Sequence, residues 1–489
     1  MNPAPENNES PEPPRRPSWA GELDALAQTV DGPVLAPGSQ GYDAEVAVFN
    51  GTVAHHPGVA VGATCVADVV AATRFAHAHG LPVAVLNTGH GPSLGASHDT
   101  VLISTRRMSD VVIDAERRTA RVQAGVRFGQ LVEESTAHGL APLVGSSPGV
   151  GVVGFTLGGG ISPTMGRTYG WASDHVTAMD VVTADGEEHR VTPDDEPELF
   201  GALLGGKSNF GIVTAMEFAL FPVTRLYAGA LFFSGDDARA VLEEYRRFTA
   251  SAPDKMSSGL VFLNLPPLPA LPPFLQGKLA VCVRVSHVGP AAEGERLVAP
   301  LRACATPLLD TVGEMPYSDF AAISMDPTEP ATAVEHFGML NELTQDTVDA
   351  LIDAVGPGSG SSLNLVDLRH LGGAYGARPA TWNAVGTRDA AYALFSLAFV
   401  PPGEDVAAYA APGAELVARL APWLSRRAHP GLLAPADATE HRTRAAYDPA
   451  VYERLRGLKT AYDPDNRLRV NHNIPPCPDR RHARAVRRR

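Results

Sequence analysis

Two glycine-rich loops in the first half of the chain constrain its fold more than any other feature. The first loop, residues 87–93, reads Asn-Thr-Gly-His-Gly-Pro-Ser and follows a short apolar run. The second loop, residues 145–160, contains seven glycines. Backbone that lacks side chains can press its N–H groups against phosphate oxygens. Two such loops therefore predict a bound dinucleotide, and His90, which stands between two glycines, is predicted to contact it.

The pattern of apolar residues places the first loop at the end of a buried strand. Residues 58–63 and 82–86 are predicted strands, and residues 66–78 are predicted to form a helix that Gly80 ends. Together they predict a β-α-β unit whose second strand leads into the His90 loop. Three short β-branched runs follow and predict a meander, at residues 101–104, 111–114 and 118–124.

The pattern changes near residue 224, where longer helices begin to alternate with strands. This change predicts a second α+β domain, whose sheet is covered by helices on one face. An apolar, proline-rich loop at residues 265–273 interrupts this domain. Its last helical segment, residues 404–420, contains Pro412-Gly413, which is predicted to break or kink the helix.

Composition excludes several classes of function. A chain of 489 residues exceeds a single hydrophobic core, and its formal charge of -14 argues against nucleic acid as a partner. The four cysteines show no paired spacing, so neither a metal site nor a disulfide framework is predicted. No apolar run is long enough to span a membrane, and the first residues do not resemble a signal peptide. We therefore expect a cytoplasmic protein.

Seven short motifs carry a resemblance to a known family. They are Gly89-His90, Ala124-Gly125-Val126, Leu157-Gly158-Gly159-Gly160, Arg167-Thr168-Tyr169-Gly170, Val181-Val182-Thr183-Ala184-Asp185-Gly186, Asn209-Phe210-Gly211-Ile212-Val213-Thr214 and Asn471-His472-Asn473-Ile474-Pro475-Pro476. In this order they resemble the FAD-linked oxidases of the berberine-bridge-enzyme type, within the vanillyl-alcohol-oxidase superfamily.

The resemblance implies an α+β fold. A two-part PCMH-type FAD-binding domain, made of N- and C-terminal segments, is expected to enclose an inserted α+β substrate domain. The expected divisions are a disordered N-terminal tail, the first FAD-binding segment, the substrate domain, the second FAD-binding segment and a basic C-terminal tail, at residues 1–20, 21–223, 224–445, 446–478 and 479–489.

The resemblance also implies which residues bind FAD. The pyrophosphate cradle is expected from the two loops, at Asn87, Thr88, Gly89, His90, Gly91, Pro92, Ser93, Gly145, Ser146, Ser147, Gly149, Val150, Gly151 and Gly154. The adenosine and ribityl portions are expected near Gly206, Asn209, Gly211, Ile212 and Val213. Asn471 and Asn473 are expected on the terminal segment that reaches the flavin ring.

His90 matches the histidine that bonds covalently to the flavin in this family. A neutral imidazole nitrogen is a competent nucleophile near neutral pH. The family's second attachment point is a cysteine, and Ser147 stands there in this chain. Because an unactivated serine hydroxyl is a poor nucleophile, we expect one covalent link through His90 and no cysteinyl link. Val150 falls where the family gates oxygen access, although loop packing explains a valine there equally well.

The catalytic base is less evident, because Leu432 falls in the region where the family usually carries a tyrosine. Tyr375 and His370 flank a Gly-Gly turn on a strand expected to face the flavin, and His472 replaces the glutamine of most relatives. Each residue could act on the substrate. Each also has a structural interpretation, as a packed aromatic residue, a surface histidine or a hydrogen-bond partner of the flavin ring.

These features predict an oxidoreductase that transfers a hydride from a small organic molecule to FAD, with dioxygen as the final acceptor. The apolar loop at residues 265–274 favours a hydrophobic natural product of secondary metabolism, such as an antibiotic precursor, over a plain sugar. Two alternatives remain open. One is a flavin-dependent cyclase or rearrangement catalyst, and the other is a flavin-bearing binding protein without turnover.

Overall fold

A computed structural model of the protein describes residues 18–269 and 271–478. The α-helices of these residues are α1 (Leu23–Thr29), α2 (Tyr42–Val46), α3 (Val66–His79), α4 (Phe128–Thr136), α5 (Val152–Leu157), α6 (Gly166–Tyr169), α7 (Pro197–Gly206), α8 (Ala238–Ser251), α9 (Ala291–Ala303), α10 (Ala321–Ser324), α11 (Gln345–Val355), α12 (Ala411–Leu420), α13 (Glu440–Arg444) and α14 (Pro449–Tyr462). None of them is long and apolar enough to cross a membrane.

The first of three β-sheets carries the loop with His90. Its strands are β1 (Val34–Leu35), β2 (Val59–Gly62), β3 (Val83–Leu86) and β4 (Val101–Ser104). β2 and β3 each pair in parallel with β4, which lies between them, and α3 connects β2 to β3. The predicted β-α-β unit is confirmed, and the His90 loop begins directly after β3.

The second sheet is built from antiparallel neighbours in the order β5-β6-β9-β7-β8. Its strands are β5 (Val111–Asp114), β6 (Thr119–Gln123), β7 (Val176–Val182), β8 (Glu188–Val191) and β9 (Ile212–Ala219). The prediction that residues 101–104 belong to a meander with β5 and β6 is wrong. All four residues of β4 are buried, as expected for a central parallel strand covered on both faces, whereas β5 leaves Val112 exposed.

The third sheet has eight strands and lies in the predicted second domain. They are β10 (Arg225–Ser234), β11 (Met256–Asn264), β12 (Leu279–His287), β13 (Leu309–Asp310), β14 (Gly313–Pro316), β15 (Ala333–Leu340), β16 (Leu365–His370) and β17 (Tyr392–Phe399). β11 and β15 were not predicted, because serine, glycine or charged residues interrupt their apolar pattern, and the short β13 and β14 were not predicted either. Of β16, only its last residue, His370, was expected on a strand.

The two faces of the third sheet differ in character. One face packs against α8, α9, α11 and α12 through an apolar core that includes Leu231, Leu260, Val283, Leu368 and Leu394. This confirms the prediction that helices cover one face. The residues that alternate with these point to the opposite face, toward the glycine loops.

Two expectations from the sequence need correction. Pro412 does not kink a helix, because α12 begins at Ala411 and the proline stands in its first turn, where its missing N–H is tolerated. Trp19, placed by the sequence in a disordered tail, is buried and packs edge-on against Phe75. The rest of that tail, residues 1–17, and the basic tail at residues 479–489 lie outside the described residues.

Candidate flavin site

His90 is held in one orientation by two neighbours. Its ring stacks on Phe49 with 3.8 Å between centroids, and its Nδ1 lies 2.9 Å from Oγ1 of Thr88. Burial, aided by the positive charge of Arg127, lowers the pKa of His90 to about 4. The imidazole is therefore neutral at physiological pH. Its Nε2 is buried and has no hydrogen-bond partner among the described residues.

The conformation of the first loop depends on Gly89. This residue has φ 70°, and a Cβ atom there would lie 2.6 Å from Cβ of Val48. At the start of the loop, Asn87 donates a hydrogen bond from Nδ2 to the carbonyl of Ala124 at 2.9 Å. Its Oδ1 is buried without a partner in the described chain. The loop thus presents one amide oxygen and one imidazole nitrogen that no described residue satisfies.

The second loop lies against the first. A Cβ atom on Gly149 would be 3.6 Å from Cε1 of His90 and 3.7 Å from Oγ of Ser147. A Cβ atom on Gly151 would lie 2.6 Å from Nδ2 of Asn87. The absence of side chains at these positions lets the two loops meet, as the motifs predict. Ser147 occupies the place expected for a second flavin attachment, and its Oγ accepts a hydrogen bond from the N–H of Gly149 at 3.3 Å.

Asn209 joins the third predicted segment to the end of the chain. Its Nδ2 donates to the carbonyls of Gly206 and His472, at 2.9 and 3.0 Å, and its Oδ1 accepts from the N–H of Ile474 at 2.9 Å. Asn471 donates to Oγ of Ser208 at 3.2 Å. Residues 206–209 and 471–474 therefore form one unit, directly before Gly211, Ile212 and Val213 at the start of β9.

The residues of these segments fit a large polar ligand. Of the twenty buried side-chain atoms that lack a hydrogen-bond partner among the described residues, four lie in these segments: Asn87 Oδ1, His90 Nε2, Asn471 Oδ1 and Asn473 Oδ1. Buried polar groups are usually satisfied, and unsatisfied ones are costly. All four belong to segments predicted to contact FAD, whose hydroxyl and ring N–H groups can donate to the amide oxygens.

The three predicted catalytic residues all have protein partners. Tyr375 is buried, and its hydroxyl donates to the carbonyl of Ser162 at 3.0 Å. Nε2 of His370 lies 3.0 Å from Arg167, and burial together with that guanidinium lowers the pKa of His370 to about 3. Nε2 of His472 lies 2.9 Å from the carbonyl of Ala434. These contacts orient each side chain, and their catalytic roles stay predictions.

The structure reveals a polar cluster that the sequence did not suggest: Arg284, Asp367 and Arg369. These residues lie on the face of the third sheet that is opposite the helices, where Gly259 of β11 pairs with both arginines. Nε of Arg369 donates to Oδ2 of Asp367 at 2.9 Å, and a guanidinium nitrogen of Arg284 lies 3.8 Å from that oxygen. Together with Ser146 of the second loop, the cluster lines a small cavity.

Two atoms of this polar cluster remain available to a ligand. Oδ1 of Asp367 and Nε of Arg284 are buried and lack partners among the described residues. Glu335 of β15 lies on the same face of the sheet, and burial raises its pKa to about 7. The sequence signal for this polar cluster was the alternation of charged and apolar residues in Leu365–His370, of which only His370 was expected on a strand.

Comparison with known proteins agrees with this geometry. Residues 57–192 match the family model described as FAD binding domain, and residues 435–475 match the model described as berberine and berberine like. The chain thus contains an FAD-binding domain and a berberine-like segment, the two parts expected of an FAD-linked oxidoreductase of the berberine-bridge-enzyme type. It is therefore an FAD-binding enzyme. In the sequence, one matched segment precedes the strands of the third sheet and the other follows them.

Relatives of this family span nearly the whole chain. The chain is 28% identical to (R)-6-hydroxynicotine oxidase from Paenarthrobacter nicotinovorans, over 92% of this chain and 98% of that protein. It is 24% identical to an FAD-linked oxidoreductase from Dictyostelium discoideum, over 93% and 97%. A carbohydrate oxidase structure from Microdochium nivale superposes with a TM-score of 0.79 at 19% identity, over 94% of this chain and 100% of that one.

One structural relative bears on the attachment of the flavin. Glucooligosaccharide oxidase from Acremonium strictum superposes with a TM-score of 0.79 at 19% identity, over 93% of this chain and 99% of that one. That protein carries a 6-S-cysteinyl, 8α-N1-histidyl FAD. The likeness establishes the shared fold, and the attachment in the present chain depends on its own residues.

Proposed function

We propose that this enzyme oxidises a small organic substrate by hydride transfer to an FAD that is bound covalently through His90 alone. The observation that carries this proposal is the neutral, buried imidazole of His90, which offers an unpartnered nitrogen beside Ser147. A neutral imidazole can attack an electrophilic carbon. A serine hydroxyl needs a base to activate it, and among the described contacts of Ser147 there is no base. One link is therefore expected where a relative has two.

The chain's own residues would bind the substrate and move its proton. Bound FAD supplies the two-electron acceptor, and dioxygen is the proposed oxidant that restores it. Asp367 and the two arginines of the polar cluster would orient a polar group of the substrate through their free atoms. Glu335, with a pKa of about 7, is suited to accept the proton that leaves as the hydride departs.

The same sheet face also supports an apolar part of the substrate. Phe232, Val261 and Cys282 form an apolar patch beside Asp367, and residues of the proline-rich loop, including Leu271 and Phe274, pack against it. Because the loop buries this patch, the apolar surface offered to a substrate belongs to the loop itself, where Leu268 is 52% exposed, and such a surface favours a partly apolar substrate over a plain sugar. We propose a small, partly aromatic molecule of secondary metabolism and a cytoplasmic site of action.

Covalent attachment is tested by denaturing gel electrophoresis under ultraviolet light. The wild-type band is expected to fluoresce, His90→Ala is expected to lose the fluorescence, and Ser147→Ala is expected to keep it. Fluorescence that does not follow the wild-type polypeptide would contradict the covalent link. Loss of fluorescence in Ser147→Ala would instead contradict the single attachment.

Turnover is tested by mixing the enzyme anaerobically with two probes, 6-hydroxynicotine and xylobiose, which two relatives are named for. The aromatic probe is expected to bleach the flavin, and air is expected to restore the yellow colour with release of peroxide. Faster bleaching by xylobiose would contradict the proposed substrate class. Conversion of a probe without bleaching would favour the cyclase alternative.

A further inference from the structure

Lys207 has an unusual backbone conformation. It follows α7 and begins a short 3₁₀ turn, Lys207–Asn209, with φ 55° and ψ -140°. Side-chain-bearing residues rarely adopt positive φ, and Gly205 in the same turn has φ 112°. A lysine here accepts a conformation suited to glycine, and such outliers concentrate at functional sites.

The side chain of Lys207 runs along the glycine triplet of the second loop. A Cβ atom on Gly158 would lie 3.4 Å from its Cε, and one on Gly159 would lie 2.9 Å from Cε1 of His429. The positive charge of Lys207 helps burial to lower the pKa of His429 to about 3 and the pKa of His472 to about 4. The ammonium group thus lies near two buried imidazoles. Both are neutral, so neither supplies a counter-charge for the lysine.

Lys459 provides a contrast, because it is fully buried and fully satisfied, whereas Lys207 is only partly buried. Its Nζ donates to the carbonyls of Asn209 and Leu468, at 2.8 and 2.9 Å, and lies 2.7 Å from a carboxylate oxygen of Asp463. Lys207 has no ion pair and no side-chain hydrogen bond with any residue of the described ranges. A partly buried cation with no carboxylate beside it among the described residues favours the binding of an anion there.

We propose that Lys207 holds its ammonium group beside the bound flavin and stabilises the negative charge that the cofactor gains with the hydride. The inference rests on the proposed function. A hydride brings two electrons and one proton, so FAD acquires one additional negative charge. Dioxygen later accepts the two electrons and the proton and takes up one further proton to form hydrogen peroxide. FAD then has its original charge again.

The surroundings of Lys207 favour the flavin ring over the phosphates. Lys207 lies two residues before Asn209, whose side chain holds His472 and Ile474 on the terminal segment. That segment contains the unpartnered Oδ1 of Asn473 and is the one predicted to reach the flavin ring. The predicted pyrophosphate cradle, at residues 87–93 and 145–154, does not include Gly206 and Asn209 on either side of Lys207. These two residues are expected near the adenosine and ribityl portions, and the ribityl chain leads to the ring.

The test compares Lys207→Met, Lys207→Gly and Lys207→Arg with Lys278→Met, which removes an exposed lysine. Two properties of the purified holoenzymes are measured without substrate: the affinity for sulfite, which adds to flavin and leaves a negative charge, and the midpoint potential against a reference dye. Removing the charge is expected to weaken sulfite binding at least about tenfold. A tenfold change in the redox equilibrium corresponds to about 30 mV for a two-electron couple.

Lys207→Arg and Lys278→Met are expected to stay close to wild type, because each leaves a cation beside the flavin. Wild-type sulfite affinity and potential in both Lys207→Met and Lys207→Gly would overturn the inference. Loss of FAD content with an unchanged potential would also overturn it, since Lys207 would then serve the phosphates. Lys207→Gly keeps the test valid if the methionine variant fails to fold. A wild-type protein without bound flavin would count against the proposed function instead.

Discussion

His90 owes its reactivity to its surroundings as much as to its motif. The Gly-His-Gly sequence identified the residue, but the stacked ring of Phe49, the contact with Thr88 and the low pKa arise from packing. For Tyr375, too, the surroundings matter as much as the position in the sequence, which suggested a catalytic base. Its hydroxyl is committed to a backbone carbonyl, and burial raises its pKa well above the ordinary value.

Gly89→Ala is expected to displace the His90 loop. The new methyl group would meet Val48 at 2.6 Å, and the residue would keep a positive φ that alanine disfavours. We expect a loss of stability of about 1–2 kcal/mol and a severe loss of covalent flavin. Gly313→Ala is the matched control, because open space surrounds its Cβ position, its φ is not positive and it is not a predicted FAD contact. Thermal unfolding and gel fluorescence measure both effects, and equal behaviour of the two variants would contradict the prediction.

At the scale of elements, the pairing register of the strands brings the polar cluster together on one face of the third sheet. Arg284, Asp367 and Arg369 come from β12 and β16, which are separated by β11 and by many residues of sequence. Local patterns predicted β10, β12 and β17 because their apolar runs are long. They could not predict that charged residues of neighbouring strands would share one face, because that depends on long-range pairing.

Asp367→Ala is expected to lower the free energy of unfolding by about 3 kcal/mol, because Arg369 then loses its buried counter-charge and Arg284 keeps only Asp326, 3.7 Å away. Asp367 is 2% exposed. Glu314→Ala is the control, since it breaks an exposed ion pair with Arg225 and should cost less than about 1 kcal/mol. Urea unfolding of both variants measures the difference. Similar losses would show that Asp367 is not essential to the charge balance of the sheet.

At the scale of the whole molecule, buried histidines link stability to pH. His370, His429 and His472 have pKa values lowered to about 3, 3 and 4, mainly by burial. Their unfolded values lie near 6.5, so between these limits the unfolded chain binds more protons than the folded one. The contribution of these histidines to the free energy of unfolding is therefore complete above pH 6.5 and is lost progressively as the pH falls toward 3 or 4.

His429→Asn is expected to flatten this dependence. One histidine that stays neutral in the folded state contributes a slope of up to about 1.4 kcal/mol per pH unit below its unfolded pKa. Urea unfolding between pH 7 and pH 5 should therefore give a shallower slope for the variant than for wild type. Parallel slopes would mean that His429 is protonated in the folded protein.

The division of the chain into two FAD-binding segments around a substrate domain is a proposal at this same scale. The family matches at residues 57–192 and 435–475 lie outside the eight-stranded sheet, and the second match begins at residue 435, within the segment expected to be the substrate domain. Asn209 supports it further, because this residue of the first segment holds the terminal segment at His472 and Ile474.

The sequence by itself determined the cofactor, the family and the loops that meet at His90, because each depends on a short motif of fixed spacing. Only the tertiary structure decided the polar cluster, the isolation of Lys207 and the neutral state of the buried histidines. Each of these depends on which groups surround a side chain, and those groups come from strands and loops far apart in the chain. Burial and pairing across that distance set charge and pKa, and no local pattern encodes them.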